Sequence, residues 1–191
     1  MNDFKPVTDL VAGLLDGVTD ARLSGPTPCG HYTQAQLLNH LLGLCLAFTA
    51  VARGETGPHN EAPPGEPAAT LDPGWRVELE QRLATLADVW SEASAWEGDA
   101  LAGGVTLPAS VMGLVALNEV AIHGWDLARA TGQPYALDPA TIETLTAFTG
   151  QDADDQAARE GVYGPVVKIP ADAPPQDHLV ALTGRDPAWR P

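Results

Sequence analysis

The chain has 191 residues and a formal net charge of -15 at pH 7, with 25 acidic side chains against 10 basic ones. That imbalance disfavours nucleic acid or an anionic membrane as partner, since both would be repelled before any specific contact formed. With 45% hydrophobic residues and only Cys29 and Cys45, the composition predicts a single cytoplasmic domain with a substantial core and reduced thiols.

The start, Met1-Asn2-Asp3-Phe4-Lys5, lacks the basic and then apolar pattern of a signal peptide, and no stretch is expected to reach the roughly 20 apolar residues that cross a bilayer. Val7, Leu10, Val11, Leu14, Leu15 and Val18 recur at helical spacing and predict a first helix over about 3–23, stopped by Ser24-Gly25-Pro26. Thr33 suits the N-cap of a second helix striped by Leu37, Leu41, Leu44 and Phe48 and fading near Arg53-Gly54. From Gly54 to about Thr70, Pro58, Pro63, Pro64 and Pro67 predict a long mobile connection, long enough for a crossover. Trp75, Leu79, Leu83, Leu86, Val89 or Trp90, Ala93 and Trp96 mark a third helix, closed by Gly98 and Gly103-Gly104. Pro108 suits the first turn of a fourth helix running to Ala130, with Gly132 as its stop. A fifth runs from Asp138-Pro139 to Phe148. In the tail, Val166, Val167 and Ile169 suggest a short extended piece and residues 177–183 a short helix. The run Asp152, Asp154, Asp155 reads as solvated surface. The expected architecture is all-α: a bundle over about 3–150 and a C-terminal packing segment over about 151–191.

The chemistry lies in the fourth helix. At about 100° per residue, Glu119 and His123 stack on one face, the face that Met112, Val115, Ala116, Ile122 and Leu127 mark as buried. His40 shares the apolar stripe of the second helix. A buried carboxylate is costly unless it is paired or coordinates a metal, and two imidazoles with one carboxylate are the donor set of catalytic zinc sites, which also suits ferrous iron and nickel. The bland alternative is an i,i+4 pair of Glu119 with His123 beside a core histidine. Asp126, three residues after His123, could orient the imidazole or take a proton from substrate; its alternative is an ion pair with Arg129. Cys29 is read as structural, Cys45 and Trp125 as core, His31, His59 and His178 as exposed, and Trp189 as a pin for the tail.

Four ordered blocks carry a resemblance: Pro26-Thr27-Pro28-Cys29, Leu38-Asn39-His40-Leu41-Leu42-Gly43, residues 119–132, and Gly184-Arg185-Asp186-Pro187-Ala188-Trp189. Through them the chain resembles the DinB-like superfamily, specifically actinobacterial metal-binding proteins related to the N-terminal domain of mycothiol-dependent maleylpyruvate isomerase. The resemblance implies a four-helix bundle with an additional helix, and metal ligands at the positions of His40, Glu119 and His123, with zinc the leading expectation. It also implies a low-molecular-weight thiol such as mycothiol as co-substrate and a small electrophilic molecule as substrate, in a monomer or homodimer. Tyr32 stands where these relatives usually carry Trp, which keeps an aromatic anchor. The isomerase has a separate C-terminal domain, whereas here only a tail follows Phe148, so maleylpyruvate itself is not implied. The expected function is metal-dependent thiol transfer or isomerisation. A non-catalytic, stress-related metal-binding protein and a metal-assisted hydrolase with Asp126 as base are the alternatives.

Overall fold

In the computed structural model, which describes residues 1–63, 65–159 and 161–191, four helices enclose the core: α1 (Lys5–Leu14), α2 (Gln34–Ala52), α3 (Trp75–Trp90) and α4 (Ala109–Thr131). A two-stranded antiparallel hairpin, β1 (Asp99–Ala102) and β2 (Val105–Pro108), precedes α4; α5 (Pro139–Thr149), α6 (Gln156–Arg159) and α7 (Pro175–Leu182) follow it. The principal contacts run α1 to α3, α3 to α2, α2 to α4 and α4 to α1. Helices consecutive in sequence, α1 with α2 and α3 with α4, therefore sit on diagonals. The long connection after α2 joins neighbours, so the crossovers lie elsewhere than the sequence suggests. Nor does that connection hang free: Asn60 is buried, its side chain bonds the backbone of Glu55 and Gly57, and Asn39 donates to the carbonyls of Ala68 and Thr70. Pro64 lies outside the described residues.

Helix α2 starts with a capping box. Thr33 Oγ1 accepts from Gln36 N at 3.3 Å, and Gln36 Oε1 accepts from Thr33 N at 3.0 Å, satisfying donors that the first helical turn cannot pair internally. The helix has 19 residues and a mean hydropathy of 1.6 in its most apolar window, long and apolar enough by composition to cross a membrane, which corrects the sequence expectation. Its apolar side chains are spent on the core instead: Leu37, Leu38, Leu41 and Cys45 are fully buried. Both Cys45 and Cys29 are free thiols.

Three boundaries differ from the sequence reading, each through tertiary contacts. The first helix stops at Leu14, followed by 3₁₀ turns at Leu15–Gly17 and Asp20–Arg22. Gln133 Nε2 donates to the Leu14 carbonyl, and Arg76 takes the Val18 carbonyl, so acceptors of the expected helix bond to other elements. The third helix ends at Trp90, whose carbonyl accepts from Trp96 Nε1 at 2.8 Å; Ala93–Trp96 is a separate 3₁₀ turn. Gly103 and Gly104, read as a helix stop, have φ of +59° and +78° and form the tip of the hairpin, since two successive positive φ values suit the tight turn that matches strand twist. Pro108 closes β2 rather than opening α4.

The aromatic end of the core stacks Phe4 on Trp90, with centroids 5.4 Å apart, and sets Trp96 edge-on to both. Gly113 of α4 admits these rings: a Cβ there would lie 2.6 Å from Trp96 and 2.8 Å from Trp90. Asp138 caps α5 by accepting from Thr141 N at 3.0 Å, and α7 packs on α5. The last helix begins at Pro175, two residues before the expected start, and the short α6 has no counterpart in the sequence reading. Val166, Val167 and Ile169 form no strand; Val167 N donates to the Ala181 carbonyl, laying this segment along α7.

Candidate metal centre

Helix α2 supplies His40, and one turn of α4 supplies Glu119 and His123. The helices are neighbours across the core, so an i,i+4 pair on one meets a single side chain from the other. His123 Nε2 lies 3.3 Å from Glu119 Oε2, and His40 Nε2 lies 3.8 Å from the same oxygen. The two imidazoles meet edge to face, with centroids 4.8 Å apart. One donor atom from each of the three residues falls within 4.8 Å of the other two. His40 and His123 side chains are 10% and 8% exposed, and Glu119 is 26% exposed, so the cluster is walled by protein and open along the carboxylate.

The donor set fits a divalent ion on its own chemistry. Nitrogen and oxygen ligands at about 2.0–2.1 Å from zinc lie about 3.4 Å apart at tetrahedral angles, close to the 3.3 and 3.8 Å that separate the two imidazole nitrogens from Glu119 Oε2. The charges agree. Burial pushes the Glu119 carboxyl up, but hydrogen bonds to His123 and His40 and their charges outweigh it and hold the group well below the ordinary carboxylate range. Burial likewise pushes His123 down, and its bonds to Asp126 and Glu119 overcome that and raise it to about 9. Without a metal, a proton on His123 thus supplies positive charge between two carboxylates.

That proton has a measurable consequence. A histidine whose folded pKa is raised from 6.5 to about 9 stabilises the fold fully below 6.5 and loses this contribution as pH rises through 9. Chelator-treated protein should therefore show a falling Tm between pH 6.5 and 9. The metal must displace the same proton, so divalent-ion affinity should rise over that range, with proton release visible as buffer-dependent heat in calorimetry. Equal Tm and equal affinity at pH 6.5 and 9 would contradict this arrangement.

Behind His123, the sequence alternatives for Asp126 separate. Its Oδ2 lies 3.0 Å from His123 Nδ1, and the carboxylate takes both Arg185 Nη2 at 3.1 Å and Arg185 Nε at 3.4 Å. Asp126 is completely buried. Arg129, the expected i,i+3 partner, turns away to donate to the carbonyls of Pro187 and Trp189, which is how the end of the chain is pinned to α4. A histidine that donates one ring N–H to a carboxylate presents its other nitrogen as a lone pair, the usual support of a metal-binding imidazole.

Cys29 comes closer to the centre than the sequence implied: its sulfur clusters with His123 and Asp126 within 4.8 Å. Burial, followed by the charge of Asp126, pushes the thiol up to about 11, so it stays protonated at neutral pH and is a poor nucleophile. Tyr32 sets its ring 5.3 Å from His40, the aromatic anchor expected there. Trp125 and Cys45 are core; His31 and His59 are exposed. His178 is half-buried on α7, not exposed, because that helix packs on α5. Arg185 and Tyr163 were missed by sequence reasoning. The closing block containing Arg185 was the only available signal, and Tyr163 had none.

The model of the mycothiol maleylpyruvate isomerase N-terminal domain family matches residues 4–128. The chain belongs to this family. An uncharacterised Mycobacterium tuberculosis protein, Rv0738 in strain H37Rv and MT0763 in strain CDC 1551 / Oshkosh, is 29% identical over 179 residues, spanning 93% of this chain and 92% of the relative. Crystal structures of the mycothiol-dependent maleylpyruvate isomerase and of a point mutant of it superpose with a TM-score of 0.62 at 24% and 23% identity, covering 78% of this chain and 67% of theirs. The fold is thus the all-α, DinB-like bundle of the maleylpyruvate isomerase. The family match takes in His40, Glu119, His123 and Asp126; Tyr163 and Arg185 lie beyond it.

Proposed function

We propose that the protein binds one divalent metal ion through His40, Glu119 and His123 and uses a low-molecular-weight thiol, mycothiol or a close analogue, to transfer or isomerise a small electrophilic molecule. The observation that carries this reading is the meeting of two largely buried imidazoles and one carboxylate from facing helices, most open to solvent along the carboxylate. Family membership supports the choice of thiol. Zinc suits the donors best, and nickel or ferrous iron would take the same set.

An ion held by His40, Glu119 and His123 would supply Lewis acidity, the chemistry that favours the thiolate over the thiol at neutral pH. The chain's own residues do the rest. Glu119 offers a full negative charge because its neighbours keep it ionised. Asp126 holds the His123 ring through Nδ1, and Arg185 holds Asp126. With both oxygens engaged and no exposure, Asp126 is suited to fixing the imidazole rather than to receiving a proton from substrate, which weighs against the hydrolase alternative. Cys29, held as a thiol, leaves the nucleophile to come from solution.

Cobalt-loaded protein titrated with mycothiol should show a saturable change in its visible spectrum and a raised Tm. An unchanged spectrum and Tm at millimolar thiol would remove the thiol from the proposal and leave a metal-binding protein.

A further inference from the structure

The two imidazoles of the centre are held in different ways. His123 turns Nε2 toward Glu119, and its Nδ1 meets Asp126 at 3.0 Å. His40 also turns Nε2 toward Glu119, but its Nδ1 makes no hydrogen bond to any described residue. An imidazole without such an outer partner keeps its freedom to change rotamer unless packing removes it. Among the described residues two rings lie against His40, those of His123 and Tyr32. His123 is itself a candidate ligand, so the outer contact is Tyr32.

The backbone that carries Tyr32 is closed on itself. Tyr32 N donates to the Cys29 carbonyl at 2.8 Å. Thr27, 4% exposed, directs its hydroxyl at the carbonyls of Cys29 and Tyr32, at 3.1 and 2.8 Å. Pro26 pairs with Thr33 in an antiparallel bridge, and Gln34 N donates to the Gly25 carbonyl at 3.0 Å. From this turn the half-buried Tyr32 ring reaches His40 with centroids 5.3 Å apart and planes inclined at 55°, inside the range in which aromatic rings attract one another. Its hydroxyl makes no hydrogen bond to any described residue, so the ring and not the oxygen makes the contact. The same turn sets the Cys29 sulfur beside His123 and Asp126, and one short loop thus backs both imidazoles.

We propose that Tyr32 is the positioning residue of His40: its ring, fixed by the turn that Thr27 closes, holds the imidazole in the rotamer that meets Glu119, as Asp126 does for His123. The inference rests on the metal reading above and deepens it. One ligand is oriented by a hydrogen bond from its own helix, the other by a ring from the loop ahead of its helix.

The test compares wild type with Tyr32→Phe, which keeps the ring, and Tyr32→Leu, which keeps apolar bulk without it. In metal-free protein isotope-labelled at the histidine Cε1 carbons, NMR should show one sharp His40 signal in wild type and in the Phe variant. In the Leu variant that signal should broaden or split while the His123 signal is unchanged. Cobalt affinity, measured by competition, should agree within about twofold between wild type and the Phe variant and fall about three- to tenfold in the Leu variant, the range of one aromatic pair. A sharp His40 signal and wild-type cobalt affinity in the Leu variant overturn the proposal. So does a Phe variant that behaves like the Leu variant, because the hydroxyl would then be the active part. Equal disturbance of His40 and His123 in the Leu variant also overturns it, since Tyr32 would be serving the fold as a whole. If no form takes up cobalt, the metal reading falls, and the metal-free NMR comparison alone decides whether Tyr32 holds His40.

Discussion

Replacing Glu119 with Gln is expected to lower divalent-metal affinity by at least about a hundredfold, more than the loss of an outer partner of a ligand produces. The substitution keeps the shape of the side chain and removes its charge, so it tests the electrostatic argument apart from packing. His40→Ala and His123→Ala should do the same by removing one donor each. Protein purified without chelator should carry about one metal per chain as wild type and only a trace in each variant, read by elemental analysis. The Glu119→Gln fold should survive, because the residue sits at the open edge of the cluster, with 26% of its side chain exposed. Wild-type occupancy in any of the three variants would mean that its side chain is not a ligand.

Arg185→Ala should give the second large effect, and on a different quantity. Asp126 is fully buried, and among the described residues the guanidinium supplies two of its three side-chain hydrogen bonds. Removing one partner of a buried pair leaves a charge without compensation, at a cost of about 3–5 kcal/mol. Arg185→Lys should recover only part of this, since one ammonium cannot make both bonds of the fork. Because Asp126 also fixes the His123 ring, metal affinity should fall by about 10–100-fold in the Ala variant. Urea unfolding of chelated protein measures the first effect and metal competition the second. A loss below about 1 kcal/mol, the range of exposed pairs, would place Asp126 and Arg185 in solvent rather than in the core.

The two halves of the site differ in how far they could be read from sequence, and the reason is range. Glu119 and His123 declare themselves because they are one turn apart on a helix whose apolar residues mark the inward face, and His40 shares the stripe of Leu37 and Leu41. Periodicity reports which way such side chains point, so the convergence of α2 and α4 was legible before any coordinate. The support was not. Arg185 reaches Asp126 across 59 residues, and Asn118 reaches Tyr163 across 45; no local pattern encodes either pairing. The same limit hides the cation that pairs with Asp126: its spacing from His123 points to the imidazole it orients, but among cations the sequence offers only Arg129, its neighbour on the helix, whereas the tail supplies Arg185. It also explains the first helix, where Gln133, distant in sequence, takes the Leu14 carbonyl. The hairpin was missed for another reason: its strands are four residues each, too short for alternation to register, and its Gly-Gly turn was read as a helix stop.

The C-terminal segment therefore has more to do than the sequence suggested. Its carbonyls at Pro187 and Trp189 hold Arg129, its Arg185 holds the carboxylate behind His123, and its Tyr163 accepts from Asn118 of α4. Together these contacts tie the segment to the helix that carries two of the three candidate ligands, so losing the segment should loosen the site as well as the fold.

The central claim is that His40, Glu119 and His123 share one cation. X-ray absorption at the zinc edge of the stoichiometrically loaded wild-type protein tests it most directly, because the ligand atoms are read without reference to activity. The account predicts two imidazole nitrogens and carboxylate oxygen at about 2.0–2.2 Å, with no protein sulfur in the absence of added thiol. A sulfur shell at about 2.3 Å in the thiol-free protein would place Cys29 on the metal, and a protein that takes up no zinc at all would remove the metal centre.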